Sequence, residues 1–318
     1  MSTEQTRHVI FDTDPGMGLP YADLDDNLAM LFLAGSPEIT VDLVTVVEGN
    51  VRAHHGYQSI LHTLEFLKDP PPVSMGSQRP LMRPYAAGQD VIGSMGAIEF
   101  RGTFSPSDQV PEPDGLCRMA AAIADAPAPV TILAVGPLTN VALLLHQRPD
   151  LHAKIQSIVI MGGAVRGPGN VSPFAEFNIW VDPEAAQMVF ESPVPKVMMG
   201  LGVTTTVALT TEHFAPLLKE TSGTAFGEDL RASLDGWLEA VANMSGAEAF
   251  NPHDPIAAAW LVKPDLFAGD QMDVTVDTRT GQTRGRPDAR GSTWVTSSVD
   301  VPGFISLFFE RLGQVALR

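Results

Sequence analysis

Acidic residues near the N-terminus of the chain stand in a pattern that can bind a cation. Asp12 and Asp14 follow a short apolar run, and the pair Asp25 and Asp26 begins an apolar helical segment. Buried carboxylates are costly unless they bind a cation or hydrogen-bond donors. Oxygen ligands of this hard type favour Ca²⁺ or Mg²⁺, and no Cys or His cluster has the spacing of a zinc site. The sequence therefore predicts a site for a hard divalent cation.

The same carboxylates also have structural interpretations. Asp25 or Asp26 can cap the helix that follows, because a carboxylate accepts hydrogen bonds from the free backbone N–H groups of a first turn. Asp12 can brace the turn after its strand. Neighbouring helical residues point about 100° apart, so Asp25 and Asp26 can also serve two partners, one a metal ion and the other a ligand hydroxyl.

Apolar strand-like runs alternate with helical segments along most of the chain. The predicted strands are HVIFDTD, VDLVTVV, VTILAV, IQSIVIM and VPKVMMGL. The predicted helices are DDNLAMLFLAG, GYQSILHTLEFL, LTNVALLLHQ and DPEAAQMVFES. This alternation predicts an α/β fold in which helices flank a mainly parallel, open, Rossmann-like sheet. We expect one domain over residues 1–318.

Two regions depart from the alternation. The Pro-, Gly- and Ser-rich stretch 73–116 predicts long loops. Near the C-terminus, QMDVTVDTR and GSTWVTSSVD predict a small antiparallel hairpin that uses the turn Thr280-Gly281, and DVPGFISLFFERL predicts a closing helix. Polar clusters follow several predicted strands, at 12–14, 48–50, 136–140 and 162–178. Because open α/β sheets bind ligands at the carboxyl ends of their strands, these clusters predict one shared site.

Composition limits the classes of partner. The chain carries 37 Asp+Glu against 20 Lys+Arg, a formal net charge of −17, which disfavours binding to nucleic acid or to anionic membranes. No apolar run approaches the ~20 residues of a membrane span. The polar first residues predict no signal peptide, and the single cysteine, Cys117, cannot form an internal disulfide. We therefore expect a cytoplasmic enzyme.

Five motifs, in order along the chain, resemble those of one known family. They are VIFDTDPG with DDNLAM, LVTVVEGNV, ILAVGPLTNVALLL, IVIMGGAVRGPGNVSPFAEFNIWVDPEAA and NPHDPIAAAW. Together they resemble the inosine-uridine-preferring nucleoside hydrolases from about residue 8 to the C-terminus. A lone Asp-x-Asp motif is weak evidence, whereas five ordered motifs are specific. The resemblance implies a calcium-dependent enzyme that hydrolyses the N-glycosidic bond of a ribonucleoside to free base and ribose.

The resemblance also implies a role for each matching residue. The Ca²⁺ ligands that it implies are Asp14, Asp26, Asp254 and the backbone carbonyl of Thr139. The substrate-binding residues that it implies are Asp25, Asn50, Met161, Asn170, Glu176 and Asn178. The catalytic residues that it implies are Asp14, as general base on the attacking water, and His253, which would help the base to leave. Asp12 would support the site, and the protein would form a homodimer or homotetramer.

The implied chemistry is physically consistent. Cleavage of an N-glycosidic bond passes through a state with oxocarbenium-like positive charge on the ribose, which anionic surroundings stabilise. Calcium lowers the pKa of a bound water, and an adjacent aspartate can then take the proton. It also orients the vicinal 2′- and 3′-hydroxyls. His253 has an alternative interpretation as a hydrogen-bonded structural histidine before a helix.

The first motif departs from the family pattern by an insertion. Seven extra residues lie between the glycine of Asp-Pro-Gly and Asp25, in the segment MGLPYADL. The insertion makes Asp23 a competitor for the roles of Asp25 and Asp26. Tyr21, in the same segment, is a candidate contact for base or sugar, although a surface tyrosine is the simpler interpretation.

The segments expected near the base leave its identity open. Ile92 stands where many relatives have a histidine. Phe226 and Trp237 lie on a helical segment expected to flank the base and could stack on it. Aromatic residues at helical spacing, however, more often belong to the core. The sequence therefore predicts a ribonucleoside substrate without specifying its base.

Two other functions fit parts of the pattern. The strand-one sequence Phe11-Asp12-Thr13-Asp14 resembles that of a phosphohydrolase with an aspartate nucleophile, but Pro-Gly stands where such enzymes carry hydroxyl and small apolar residues. A binding protein of the same fold that has lost catalysis is the other alternative. Retention of the acidic and amide residues named above argues against it.

Overall fold

A computed structural model describes residues 6–19, 22–83, 109–315 and 317, apart from the side chain of Met244. Tyr21 and Ile92 lie outside the described residues. The strands are β1 (Arg7–Thr13), β2 (Ile39–Val46), β3 (Val73–Met75), β4 (Val130–Ala134), β5 (Ile155–Met161), β6 (Lys196–Met199), β7 (Phe267–Asp277), β8 (Gln282–Pro287) and β9 (Thr293–Val299). The helices are α1 (Asp25–Ala34), α2 (Ala53–Glu65), α3 (Gly115–Asp125), α4 (Thr139–Gln147), α5 (Phe177–Val181), α6 (Pro183–Glu191), α7 (Leu201–Thr204), α8 (Thr211–Glu220), α9 (Ala225–Ser245), α10 (His253–Val262) and α11 (Val301–Gly313).

One sheet contains all of these strands, in the order β3-β2-β1-β4-β5-β6-β9-β7-β8. The strands from β1 to β6, together with β9, run parallel, and β7 is antiparallel to both β8 and β9. Buried hydrophobic clusters lie on both faces of the sheet, beneath the flanking helices. The central strands are apolar without alternation because both of their faces are covered. The predicted α/β fold with a mainly parallel sheet is confirmed.

The predicted antiparallel pairing at the C-terminus is confirmed, but the strand that directly follows the turn was predicted wrongly. After the turn at Thr280-Gly281, β7 pairs with β8, and the predicted partner β9 lies on the other side of β7. The segment of β8, QTRGRP, is polar and lies at the edge of the sheet, so it lacks the apolar alternation that indicates a strand. Stretch 73–116, predicted as loops, likewise contains the three-residue strand β3 and the start of α3.

Two buried helices lie side by side on one face of the sheet. Along α1, every residue from Asp25 to Leu33 is buried, and α10 is buried over most of its length. The two helices pack against each other. A helix that is apolar on all sides belongs in the interior, so the few polar residues on these helices are confined to their first turns. None of the helices in the described ranges combines the length and apolar character that a membrane span requires.

Candidate active site

The strand order reverses between β1 and β4, where the chain returns to the centre of the sheet. Crevices at such reversals are the usual ligand sites of open α/β sheets. The buried apolar run of β1 ends there in Asp12, which pairs in register with Thr45 of β2 and Ala134 of β4. Asp14 follows two residues later. The fold therefore places the acidic end of β1 at the carboxyl edge of the sheet, where the ligand site was predicted.

Two helix N-termini add three more carboxylates to this edge. Asp25 and Asp26 stand in the first turn of α1, and Asp254 stands in the first turn of α10. The backbone N–H of Asp254 donates to Asp25 Oδ2 at 3.3 Å, so the two helix starts are in direct contact. The partial positive charge of a helix N-terminus favours carboxylates at these positions. Residues that are 229 positions apart thus share one acidic site.

Asp14 and Asp26 are held in fixed orientations. Asp14 Oδ2 accepts a hydrogen bond of 2.6 Å from the backbone N–H of Asn50. Asp26 Oδ1 accepts from the backbone N–H of Asp14 at 3.1 Å and from the hydroxyl of Thr13. The other oxygens, Asp14 Oδ1 and Asp26 Oδ2, are buried and have no hydrogen-bond partner within the described residues. Such atoms are costly to bury unless a ligand completes them.

The negative charges of the cluster raise the pKa values of neighbouring carboxylates. Burial raises the pKa of Asp14 well above its usual range, and the charges of Asp26, Asp25 and Glu176 raise it further. Burial and the charge of Asp25 raise the pKa of Asp26 to about 7. Asp254 is likewise raised in pKa by burial and by the neighbouring aspartates. This electrostatic cost is what a bound divalent cation would relieve.

Asp12 lies behind the cluster. Its Oδ1 atom accepts from the hydroxyl of Thr45 at 2.5 Å and from Asn140 Nδ2 at 2.8 Å. Burial raises its pKa to about 7. Asp12 therefore links the end of β1 to β2 and to the first turn of α4, and its supporting role stays a prediction.

A cavity of about 590 Å³ opens in front of the acidic cluster. Of the predicted site residues, those that line it are Asp25, Asn50, Met161, Asn170, Glu176, Asn178, His253 and Asp254. Asp14 and Asp26 are almost fully buried beside it. No Lys or Arg is among the described residues that line the cavity, which disfavours a phosphate ester as the ligand.

Part of the cavity wall comes from the ends of β5 and α5. Glu176 caps α5 by accepting hydrogen bonds from the backbone N–H groups of Asn178 and Ile179, and it also accepts from Gly163 N at 2.9 Å. Asn178 Nδ2 donates to the carbonyl of Val135 at 2.6 Å. These bonds fix the side chains of Glu176 and Asn178, which line the cavity and can contact a ligand.

Three predicted residues have additional contacts that bear on their roles. Asn170 Oδ1 accepts from the backbone N–H of Phe177, which ties the 162–176 loop to α5. His253 Nδ1 lies 2.7 Å from the hydroxyl of Thr204, and burial lowers the pKa of this histidine. Thr139 begins α4 and its hydroxyl donates to Asp182 Oδ2, so its side chain is engaged away from the aspartates. The role proposed for Thr139 therefore rests on its backbone carbonyl.

The structure adds residues that the sequence did not assign. Asp23, predicted only as a competitor, lies with Asp25 and Asp26 so that one carboxylate oxygen of each is within 4.8 Å of the others. The aromatic residues that line the cavity are Phe177, Trp180, Trp237 and Phe250. Phe226 belongs to the core instead, where its ring lies 5.6 Å from that of Phe66. Periodicity alone could not separate Trp237 from Phe226, because both lie on α9.

The position of Asp14 leads to a prediction about Gly49. A Cβ atom at this glycine would lie 2.0 Å from Asp14 Oδ2 and 2.8 Å from Pro137 Cδ. We expect Gly49→Ala to displace the Asp14 carboxylate and to lower kcat at least about 100-fold, the cost of misplacing a reacting group by about 1 Å. The matched control is Gly236→Ala on α9, where a Cβ meets nothing within 4 Å. Normal kcat in Gly49→Ala would contradict this placement of Asp14.

Comparison with known proteins identifies relatives over almost the whole chain. Residues 9–306 match the family model for the inosine-uridine preferring nucleoside hydrolases. The pyrimidine-specific ribonucleoside hydrolase RihA of Salmonella paratyphi A is 37% identical over 323 aligned positions, which cover 97% of this chain and 99% of the relative.

Solved structures agree with this match. The purine-preferring ribonucleoside hydrolase from Gardnerella vaginalis superimposes with a TM-score of 0.82 at 26% identity, over 98% of this chain and 99% of its own. A plant nucleoside hydrolase, PpNRh1, gives a TM-score of 0.77 at 28% identity, over 96% of this chain and 98% of its own. The chain therefore belongs to the inosine-uridine preferring nucleoside hydrolase family and, as its motifs predicted, is a nucleoside hydrolase.

Proposed function

We propose that this nucleoside hydrolase binds Ca²⁺ at the aspartate cluster and uses Asp14 as the general base on the water that cleaves a ribonucleoside. The observation that carries the proposal is the convergence of Asp14, Asp25, Asp26 and Asp254 at one end of the cavity. We further propose that residues 1–318 act as one domain, as a homodimer or homotetramer in the cytoplasm. Light scattering of the purified protein tests the oligomeric state.

The donor set fits a hard divalent cation. Carboxylate and carbonyl oxygens are the ligands that Ca²⁺ prefers, and Asp14 Oδ1 and Asp26 Oδ2 are buried oxygens that lack a donor among the described residues. In this proposal Asp14, Asp26, Asp254 and the carbonyl of Thr139 hold the ion. When bound, Ca²⁺ supplies positive charge that lowers the pKa of a water and orients vicinal hydroxyls.

Asp14 is suited to take a proton. Its Oδ2 atom is fixed by the backbone N–H of Asn50, while Oδ1 has no protein donor within the described ranges and is available to a water. A base positioned before the reaction needs no reorganisation when the proton moves. Asp14 therefore combines a fixed orientation with a free acceptor atom.

The remaining polar residues position the ribose. Asp25 and Asn50 line the cavity next to the aspartate cluster and are assigned to ribose hydroxyls, whereas Asn170, Glu176 and Asn178 line the β5–α5 wall and are assigned to the rest of the sugar. Met161 packs against the sugar. Because the carboxylates surround the ribose with negative charge, they stabilise the oxocarbenium-like transition state more than the neutral substrate.

The base is assigned to the aromatic part of the cavity. Trp180, Trp237 and Phe250 offer apolar ring surface on which a planar base can stack. The names of the relatives include both pyrimidine-specific and purine-preferring enzymes, so a common ribonucleoside of either class is proposed as substrate.

His253 is proposed to assist departure of the base, and leaving-group chemistry tests this role. We expect His253→Ala to lower kcat for a natural nucleoside about 100-fold, the contribution of a positioned acid. The same variant should hydrolyse p-nitrophenyl riboside almost normally, because nitrophenolate leaves without protonation. Steady-state kinetics on both substrates make the comparison. Equal losses on the two substrates would assign His253 a structural role through its contact with Thr204.

The test of the reaction is a panel of purine and pyrimidine nucleosides incubated with the purified protein and Ca²⁺. Free base and reducing sugar are measured, with a chelator in the control. Release of ribose and base that stops on chelation supports the proposal, and the rank order gives the preferred base. Absence of release from every nucleoside would favour a catalytically silent binding protein, which calorimetry with the same nucleosides would detect.

A further inference from the structure

We infer that Asp23 is an additional carboxylate of the cation site, supplied by the inserted segment, and that it also fixes the side chain of Asn50. The inference rests on the proposed function, since it concerns the same metal site and the same ribose-binding residue. Asp23 is not among the residues that the family motifs assign to either role.

The first observation is the geometry of the carboxylates. Asp23, Asp25 and Asp26 each offer an oxygen atom, and these atoms lie within 4.8 Å of one another. Asp23 is half-buried and lines the cavity together with Asp25, while Asp26 is fully buried behind them. Three like charges at this separation repel strongly unless a cation or protons lie between them.

An independent observation indicates that the cluster faces a ligand. Asp26 Oδ2 is fully buried and has no donor among the described residues, although Asp26 Oδ1 accepts two hydrogen bonds. An oxygen of this kind needs a partner to offset its burial. Because one oxygen of each of Asp23, Asp25 and Asp26 lies within 4.8 Å of the others, a single cation can come within reach of all three carboxylates.

The second part of the inference concerns Asn50. Its Nδ2 atom lies 3.3 Å from both Oδ1 and Oδ2 of Asp23, and its backbone N–H donates to Asp14 Oδ2. Asn50 is therefore held at its side chain by Asp23 and at its backbone by the proposed general base. Asp23 thus acts as a positioning residue that connects the cation to a ribose-binding amide.

Two substitutions at Asp23 separate its charge from its hydrogen bond. Asp23→Asn removes the charge but keeps a side-chain oxygen that can accept from Asn50, whereas Asp23→Ala removes both. The affinity for Ca²⁺ is measured by titration calorimetry. We expect both variants to bind Ca²⁺ at least about tenfold more weakly than wild type, since affinity follows the charge of the ligand set. Only Asp23→Ala should also show a clearly raised KM at saturating Ca²⁺.

A thermal melt of the metal-free protein distinguishes this role from a merely structural one. Removal of one of several repelling charges should raise the melting temperature of metal-free Asp23→Asn, while a lost structural contact would lower it. The control Asp69→Asn removes an exposed charge four residues after the end of α2 and should change neither the Ca²⁺ affinity nor the melting temperature. Asp26→Asn is the positive control for lost cation binding.

The outcomes separate this inference from the proposed function. Wild-type affinity for Ca²⁺ in both Asp23 variants, with binding lost in Asp26→Asn, would overturn the inference and leave the proposed function standing. A wild-type protein that neither binds Ca²⁺ nor releases ribose would instead contradict the proposed function. Weaker Ca²⁺ binding with an unchanged KM in Asp23→Ala would overturn the part that concerns Asn50.

Discussion

Replacement of Asp14 by asparagine is expected to lower kcat for nucleoside hydrolysis by about 10²- to 10⁴-fold, the range that a general base contributes. The amide retains an oxygen that can accept from the backbone N–H of Asn50, so the local geometry is kept. The asparagine side chain, however, cannot take a proton from water. Substrate affinity should fall much less than kcat, because the ribose and base contacts come from other residues that line the cavity.

Several measurements on the Asp14→Asn protein make this result decisive. Single-turnover kinetics at saturating Ca²⁺ report the chemical step, and calorimetry with a nucleoside reports binding. Asp69→Asn serves again as the control for a lost negative charge, and it should match wild type in both measurements. Turnover by Asp14→Asn equal to that of wild type would exclude Asp14 as the base. Lost turnover accompanied by a lower melting temperature would mean that the substitution disturbed the fold.

Removal of Ca²⁺ is expected to abolish hydrolysis and to make the stability of the protein depend on pH. In the metal-free protein burial holds the pKa of Asp12 and Asp26 at about 7, above the usual value of 3.8 for an aspartate. Between about pH 4 and pH 7 the folded state therefore keeps protons that the unfolded chain has released. Stability falls with rising pH wherever the folded state binds more protons, so the free energy of unfolding should decrease across this window.

Added Ca²⁺ should restore the lost free energy of unfolding, and the gain should be largest at neutral pH. A ligand at a thousandfold excess over its Kd stabilises the folded state by about 4 kcal/mol, which corresponds to several degrees in melting temperature. At pH 5 the carboxylates are largely protonated and the gain should be small. Melting curves with chelator and with Ca²⁺ at both pH values make the test. An equal shift at pH 5 and pH 7.5 would indicate that the ion binds elsewhere than at Asp26.

The fold was predictable where burial of an element gives a clear run of apolar residues in the sequence. The boundaries predicted for β5 match the structure, and those predicted for α1 and α4 differ by one residue, because glycine, proline or charged residues bound these apolar runs in the sequence. The segment of β8 gave no signal, since an exposed edge strand needs no apolar residues. Which partner follows the turn at Thr280-Gly281 depends on pairing across the sheet, and local sequence does not contain that information.

The candidate site was predictable through motifs more than through local physics. Spacing alone suggested a cation near Asp14 and Asp26, but Asp254 entered only through the resemblance to a family. Its contact with Asp25 joins chain segments 229 residues apart. Asp23 illustrates the reverse case, since no motif assigned it a role and the structure nevertheless places it beside Asp25 and Asp26.

By itself the sequence determined the class of fold, the family and the set of polar residues available for chemistry. Each of these depends on residue types and their order, which are local properties. The tertiary structure decided which carboxylates meet, which oxygens lack a donor, and that Trp237 rather than Phe226 faces the cavity. These features arise when two buried helices direct their first turns at the end of β1, and the resulting burial and charge repulsion exist only in the folded chain.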